Sequence, residues 1–290
     1  TRYDSDSVGT KNTTANEATA VGYNALTANT TGASNSAFGA YALAAVTTGQ
    51  QNTGIGYAAA YQTTTGVEST AVGDFALGDN TTGSYNTAVG STALGANTTG
   101  TYNTAFGRDT LDANTTGTAN TALGAAALGA NTTAGSNTAV GFAAMEANTT
   151  GVNNTALGRG SLGSNLTADN NVAVGYLALN LNTTGSECTA IGTTALDANT
   201  TGASNTAVGR EALSANTTAG SNTAVGESAL RLSTTASFNT AVGANALNQT
   251  TTGQYNAAFG YNAADSITTG QKNTAYGAYA LHVNTTATDN

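Results

Sequence analysis

The chain shows one pattern of apolar and polar positions, and this pattern returns every 17 residues. Each unit follows the consensus N-T-A-V-G-x-x-A-L-x-x-N-T-T-G-x-x. We number the glycine of the T-A-V-G phrase as position 0. It falls at Gly22 and at every 17th residue from there to Gly277, without insertion or deletion. A fixed period of this size is typical of repeat architectures, in which each unit is stabilised by stacking on its neighbours.

The same register extends back to the start of the sequence, where Thr1 lies at position −4 of a degenerate first unit. The 290 residues therefore divide into 17 units of 17 residues, and Asn290 opens a further unit. We predict a single repeat array over residues 1–290. Because the chain begins and ends at the same phase, we expect it to be a segment of a longer fibre.

The constant and variable positions indicate which side chains face inward. Position −1 is always a larger apolar residue, and position +4 is Leu or Met except at Ala60 and Ala264. Every charged residue from Gly22 onward falls at +1, +2, +5, +6, +11 or +12. Charged side chains are rarely buried without a partner. The pattern thus predicts that these six positions face water and that −1 and +4 face inward, with Met145 filling the core.

The residue types within a unit favour strands over helices. Glycine at position 0 and usually at +10 would interrupt any helix, and Asn and Thr are weak helix formers. The N-T-A-V-G phrase predicts one short strand, the Thr-Thr phrase predicts a second, and the glycines predict turns. We therefore predict an all-β fold, a narrow parallel β-solenoid or β-roll. Its 17 coils would stack about 4.7–4.8 Å apart.

The predicted core is thin, because each coil offers few large apolar side chains. Backbone hydrogen bonds and ladders of Asn or Thr side chains must then contribute much of the stability. Packing against copies of the same chain would add more. Three chains around one axis would cover the −1 face or the Ala-rich face a second time, so we predict a homotrimer.

Composition excludes several functions. The chain has 7 Lys+Arg and 16 Asp+Glu, a net charge of −9, which argues against nucleic acid as a partner. Cys188 and His282 are the single residues of their types, so neither an internal disulfide nor a His-based metal cluster is expected. No apolar run approaches the roughly 20 residues of a membrane span. We predict no cofactor, no metal site and no membrane insertion.

The N-x-T phrase at positions +7 to +9 matches an N-glycosylation acceptor. The alternative, which we favour, is a turn with a ladder of hydrogen-bonded Asn and Thr side chains. Other residues replace the Asn in several units while the Thr at +9 stays, which suits a structural role. The candidate acceptors are Asn29, Asn80, Asn97, Asn114, Asn131, Asn148, Asn165, Asn182, Asn199, Asn216 and Asn284.

Exposed aromatic residues are candidate contact sites. Tyr85 and Tyr102 share phase +12 in adjacent coils, as do Phe238 and Tyr255. They are expected to stack as outer aromatic ladders that contact a neighbouring chain or, as the weaker alternative, a glycan.

Other side chains give weaker signals. Cys188 replaces an Asn at −4 and is interpreted as a tolerated small residue, with a redox or cross-linking role as the alternative. His282, at +5, is expected to be solvated. Carboxylates such as Asp112 and Glu146 share a phase but are two or more coils apart, so they form no acid–base pair. The chain is predicted not to be an enzyme and to have no catalytic residues.

Two stretches resemble known repeat families. Asn171-Val172-Ala173-Val174-Gly175 resembles the V-A-I-G core of YadA-like trimeric autotransporter heads. The run from Asn86 to Gly100, N-T-A-V-G-S-T-A-L-G-A-N-T-T-G, resembles arrays of phage and bacterial proteins described as tail-fibre-domain proteins. The resemblance implies a left-handed β-roll that forms trimers in an extracellular shaft.

The resulting functional expectation is a structural one. We expect the shaft of an extracellular or virion fibre, of the tail-fibre or adhesin type, which projects from a surface or mediates attachment to it. Expected partners are copies of the chain itself and a cell-surface glycan or receptor. One alternative is a self-assembling extracellular filament or matrix protein. Another is an ice-binding β-solenoid, in which Thr at −3 and +9 would form flat ranks.

Overall fold

The computed structural model describes residues 17–290, and in this range the chain is a parallel β-solenoid without helices. It divides into two compact units, Thr1–Ala143 and Ala144–Asn290. The first unit contains strands β1–β8 and the second contains β9–β16. The predicted fold class is confirmed. The degenerate first repeat, except for its last residue Glu17, lies outside the described residues.

Each repeat contributes one strand of three residues. The strands of the first unit are β1 (Thr19–Val21), β2 (Ser36–Phe38), β3 (Thr53–Ile55), β4 (Thr70–Val72), β5 (Thr87–Val89), β6 (Thr104–Phe106), β7 (Thr121–Leu123) and β8 (Thr138–Val140). Those of the second are β9 (Thr155–Leu157), β10 (Val172–Val174), β11 (Thr189–Ile191), β12 (Thr206–Val208), β13 (Thr223–Val225), β14 (Thr240–Val242), β15 (Ala257–Phe259) and β16 (Thr274–Tyr276).

The pairing of the strands places equivalent residues of successive repeats side by side. In β5 and β6, for example, Ala88 pairs with Ala105 and Val89 with Phe106, in parallel. The same register holds between neighbouring strands within each unit. The 17-residue period of the sequence is thus the length of one coil.

The glycine at position 0 makes the corner after each strand. Gly124 has a φ of 128°, a conformation that side chains rarely adopt. A Cβ atom added there would lie 2.6 Å from the carbonyl oxygen of Gly141 in the next coil. Ala126 and Leu128, two and four residues further on, also have left-handed φ values of 58° and 53°. The corner therefore requires glycine at one position and tolerates other residues, under some strain, at two more.

The second predicted strand, at Thr-Thr, is not present. The backbone amides of Thr98 and Thr99 both donate to the carbonyl oxygen of Thr115, at 2.9 and 3.2 Å. Two consecutive amides that converge on one carbonyl cannot continue a β ladder, in which successive groups point to opposite sides. The segment stacks on its neighbours as a bend instead.

The prediction that position −1 faces inward is wrong. The interior side of each strand carries the alanine at −2, such as the fully buried Ala88 and Ala105. Residues at −1 point outward, and Phe106 is 57% exposed. The reason is the narrow lumen, which the residue at +4 fills. A Cβ added at Gly54, position −2, would lie only 3.0 Å from Cγ of Leu43.

Position +4 behaves as predicted. The largest fully buried side chains among the described residues all occupy it, and Met145 is one of them. The charged residues of the described part also lie where the sequence places them, because none of them is buried.

Candidate functional site

The asparagines at +7 form a hydrogen-bonded column inside the solenoid. The side-chain amide of Asn131 donates to Oδ1 of Asn114 at 2.9 Å and to the carbonyl oxygen of Ala134 at 3.1 Å. Ten of the eleven candidate sugar acceptors are fully buried in this way: Asn29, Asn80, Asn97, Asn114, Asn131, Asn148, Asn165, Asn182, Asn199 and Asn216. A sugar on Nδ2 would have no room in the folded coil, so the burial favours the ladder. Asn284, in the last coil, is half-buried and accepts from the amide of Ala287.

A second buried asparagine column lies at position −4, just before each strand. Asn103 donates from Nδ2 to the carbonyl oxygen of Gly117 at 2.8 Å, and its Oδ1 accepts from the amide of Asn120 at 3.0 Å. The sequence analysis did not predict that this column is buried. The absence of charged residues at −4, a position that is nearly always polar, could have indicated it.

Cys188 occupies this second column and is fully buried. Its amide donates to Oδ1 of Asn171 at 2.9 Å, and its Sγ lies 3.3 Å from the carbonyl oxygen of Gly202. Burial raises the pKa of the thiol above its ordinary value. These contacts are those of a small interior residue and leave no thiolate at the surface.

The outer face of each strand carries a column of apolar side chains, which we call the apolar stripe. It consists of the residues at −1, and none of them is buried. The stripe comprises Val21, Phe38, Ile55, Val72, Val89, Phe106, Leu123 and Val140 in the first unit. In the second unit it comprises Leu157, Val174, Ile191, Val208, Val225, Val242, Phe259 and Tyr276. Exposed apolar surface of this kind is typical of surfaces that contact a partner.

A different column consists of the threonines at +9, which we call the threonine column. Its members in the first unit are Thr31, Thr48, Thr65, Thr82, Thr99, Thr116 and Thr133, and its first member in the second unit is Thr150. They continue as Thr167, Thr184, Thr201, Thr218, Thr235, Thr252, Thr269 and Thr286. Every one of these side chains is exposed.

The aromatic pairs predicted at phase +12 stack face to face. The ring centroids of Tyr85 and Tyr102 are 4.8 Å apart, and those of Phe238 and Tyr255 are 5.1 Å apart. Each ring therefore covers one face of its neighbour, while all four residues remain exposed. Their contact with a glycan or another chain stays a prediction.

An aromatic cluster that the sequence did not suggest surrounds Tyr41 in the first unit. The rings of Tyr23, Tyr57 and Tyr61 lie 5.3, 5.9 and 6.1 Å from that of Tyr41, in edge-to-face orientation. Burial, followed by the neighbouring tyrosines, raises the pKa of Tyr41 above its ordinary value. The signal was the run of aromatic residues at +1, +2 and +5 in consecutive coils.

Two shallow grooves adjoin this cluster. One, of about 440 Å³, is lined by Asn24, Tyr41, Tyr61 and Gln62, with threonines and alanines. The other, of about 300 Å³, is lined by Tyr41, Tyr57, Ala58, Tyr61 and Phe75. Neither lining contains a charged residue. The grooves offer ring faces, amides and hydroxyls.

The titratable side chains of the described residues make contacts in small groups, such as Arg210 with Glu211 and Glu227. No three His, Cys, Asp or Glu residues in residues 17–290 are placed to hold a metal ion. Nδ1 of His282 lies 2.8 Å from Oδ1 of Asp265, on the adjacent coil, rather than being fully solvated. Burial is the main cause that raises the pKa values of Asp112 and Asp197.

The comparisons with known proteins give no match to a protein-family model, to a curated protein or to a solved structure. Within the described range, no helix has the length and hydropathy needed to cross a membrane. The class of protein is therefore defined by the fold alone, a parallel β-solenoid of 17-residue coils.

Proposed function

We propose that the chain is a structural shaft segment of an extracellular or virion fibre, assembled from three copies with left-handed coils. The observation that carries the proposal is the apolar stripe, which each unit leaves uncovered along its strand face. Side chains such as Phe106 and Leu123 gain stability only if another surface covers them. Lateral packing of copies would supply that surface at every coil.

The hydrogen-bond columns support a mechanical role. In most coils the +7 and −4 asparagines join neighbouring coils from inside, and the strand joins them through the backbone. Load along the array would be shared among many equivalent bonds. The shaft would project an attachment device away from a surface, and weak lateral contacts would add through multivalency.

For the attachment partner we propose a neutral cell-surface glycan bound in the grooves beside Tyr41. Pyranose rings pack their apolar C–H faces on aromatic rings. The side-chain amide of Asn24 can bond sugar hydroxyls, and Oε1 of Gln62, whose Nε2 donates to Asp79 at 2.8 Å, can accept from them. The uncharged lining favours a neutral ligand over an anionic one.

Removal of whole repeats tests the shaft proposal. A variant that lacks residues 74–141, which are four complete repeats, should form particles of unchanged width in negative-stain images. Their length should fall by about 19 Å, four times the coil spacing. A change of width, or loss of the folded particle, would contradict the proposal, because a shaft requires only that the remaining coils stack.

Ice binding is the second candidate, and the outward threonines favour it. Thr87 and Thr104 at −3 are exposed beside the apolar stripe, at the spacing of the coils. Thermal hysteresis of the purified chain tests this function. Activity that disappears when Thr87 and Thr104 are both changed to Tyr would support ice binding, whereas absence of hysteresis would exclude it.

A further inference from the structure

The threonine column combines two properties that no other column has. Position +9 is Thr in all sixteen repeats from Thr31 to Thr286, and its side chain is exposed in all of them. Other exposed positions vary widely. Even the threonines at −3 are replaced in three repeats, by Ser36, Val172 and Ala257. Exposed positions normally tolerate substitution with little effect on stability.

Contacts within the chain do not account for this constancy. No side-chain hydroxyl of the column makes a hydrogen bond within residues 17–290, and no member has a left-handed φ. The threonine hydroxyl at the adjacent position +8, in contrast, does make a hydrogen bond within the chain. There Thr98 Oγ1 donates to the carbonyl oxygen of Thr115 at 3.0 Å, yet Leu166 replaces threonine at this phase. Position +8 is thus replaced in one of the sixteen repeats although its hydroxyl bonds the next coil, whereas position +9, whose hydroxyl makes no such bond, is never replaced.

The constraint must therefore come from a surface outside the chain, and that surface must repeat with the coil. A partner that contacts threonine at every level has the same axial period, about 4.7–4.8 Å. A second copy of this solenoid, aligned in register, has that period. Because the facing residue must be equally constant, the column meets itself rather than the variable apolar stripe.

We infer that the threonine column lies at the symmetry axis of the assembly, where equivalent threonines of parallel copies meet level by level. The inference rests on the proposed self-association. It adds which surface lies at the axis and which coils of the copies face each other. Near an axis each substitution appears in every copy at once, so a bulky residue clashes with its own image. Threonine is compact and offers a methyl group for packing and a hydroxyl for hydrogen bonding between copies.

Disulfide cross-linking tests this arrangement. All variants would carry Cys188→Ser, which removes the native thiol. Serine is tolerated at this position of the repeat, because Ser69 occupies it in another coil. Into it we would introduce Thr116→Cys, and as a matched control Thr118→Cys, an exposed threonine two residues further on. Mild oxidation should link Thr116→Cys chains into covalent dimers at least about tenfold more than Thr118→Cys chains, because a disulfide requires Cα atoms within about 7 Å.

Coexpression tests the register. A longer, tagged chain with Thr82→Cys, two coils away from Thr116, should give no mixed-length dimers with Thr116→Cys, since the sites would be about 9 Å apart. Frequent mixed dimers would overturn the register.

The experiments distinguish failure of the threonine-column inference from failure of the shaft proposal. If light scattering shows an assembly but Thr116→Cys does not cross-link, self-association stands and the inference is overturned. If the chain is a monomer, both fail. A monomer whose thermal hysteresis is lost on changing Thr99 and Thr116 to Tyr would show that the periodic partner is ice.

Discussion

Nδ2 of Asn131 lies 2.9 Å from Oδ1 of Asn114, in the fully buried interior between two coils. Asn97, Asn114, Asn165, Asn182 and Asn199 each donate to the asparagine of one neighbouring coil and accept from that of the other, so side chains link successive coils here. A buried amide that loses its partner carries the cost of desolvation without compensation. The interior of this solenoid is thus polar along one side and apolar along the other.

Substitution of an asparagine in this column should lower the free energy of unfolding by more than the few side-chain atoms removed would suggest. Asn114→Ala leaves Asn131 Nδ2 without its partner in the adjacent coil, at a cost of about 1–3 kcal/mol. Asn114→Thr should cost less, because Thr63 at the same phase already accepts from Asn80 at 3.3 Å. Chemical denaturation measures both, and equal losses for the two variants would show that the hydrogen bond is unimportant.

The inward and outward positions should respond differently to truncation. Leu111→Ala removes a fully buried side chain and should cost about 2–5 kcal/mol at any protein concentration. Leu123→Ala removes a side chain that is 39% exposed in the single chain. Its cost should increase with protein concentration, because the stripe is covered only on assembly. Denaturation at two concentrations distinguishes them, and a concentration-independent loss for Leu123→Ala would argue against the stripe as an interface.

Substitutions at the corner should show that glycine is required at position 0 and that position +2 accepts either glycine or alanine. Gly124→Ala introduces a Cβ 2.6 Å from a backbone oxygen at a φ of 128°, so we expect a loss of more than about 3 kcal/mol. Ala126→Gly relieves left-handed strain and should be neutral or stabilising by up to about 1 kcal/mol. Melting temperatures of the two variants provide the check. A tolerated Gly124→Ala would mean that the corners are not as closely stacked as described.

Asp112 should make stability depend on pH. Burial, and then the nearby Asp109, raise its pKa, so folding favours the protonated carboxyl. Its contribution to stability is therefore fully present below the ordinary Asp pKa and is lost as the pH rises through the higher folded value. Asp112→Asn should raise the melting temperature at pH 7 and have little effect near pH 3, below the ordinary value of about 3.9. Glu146→Gln, at the same phase but exposed, is the control. A stabilisation by Asp112→Asn that is equally large at both pH values would contradict the assignment.

The groove beside Tyr41 should bind neutral oligosaccharides. The probes are maltohexaose, cellohexaose and chitohexaose, followed by tyrosine fluorescence, which is readable because the chain has 12 Tyr and no Trp. Tyr61→Ala should weaken binding about tenfold, equivalent to one stacking contact of 1–1.5 kcal/mol. Tyr176→Ala, an exposed aromatic outside both grooves and outside the stacked pairs, should leave it unchanged. Absence of saturable binding, or preference for choline over every sugar, would refute a neutral-glycan site.

The sequence predicted the period, the parallel stacking and the core at +4, because these follow from residue identity alone. It misassigned position −1, since T-A-V alternates equally well in either orientation and Val is the more apolar residue. The lumen decides the orientation: Leu43 lies within 3.0 Å of the Cβ site at Gly54, so nothing larger than alanine fits at position −2. The convergence of two amides on Thr115 and the cluster around Tyr41 depend on contacts between coils, which phase alone does not specify.

The central claim is that this solenoid assembles laterally into a fibre shaft, and the absolute mass in solution tests it most directly. Light scattering after size exclusion should give about three times the 28.3 kDa of one chain. Large polymers of variable length would instead favour the self-assembling filament. A mass of one chain, unchanged as the concentration increases, would contradict the account, because the apolar stripe would then remain uncovered.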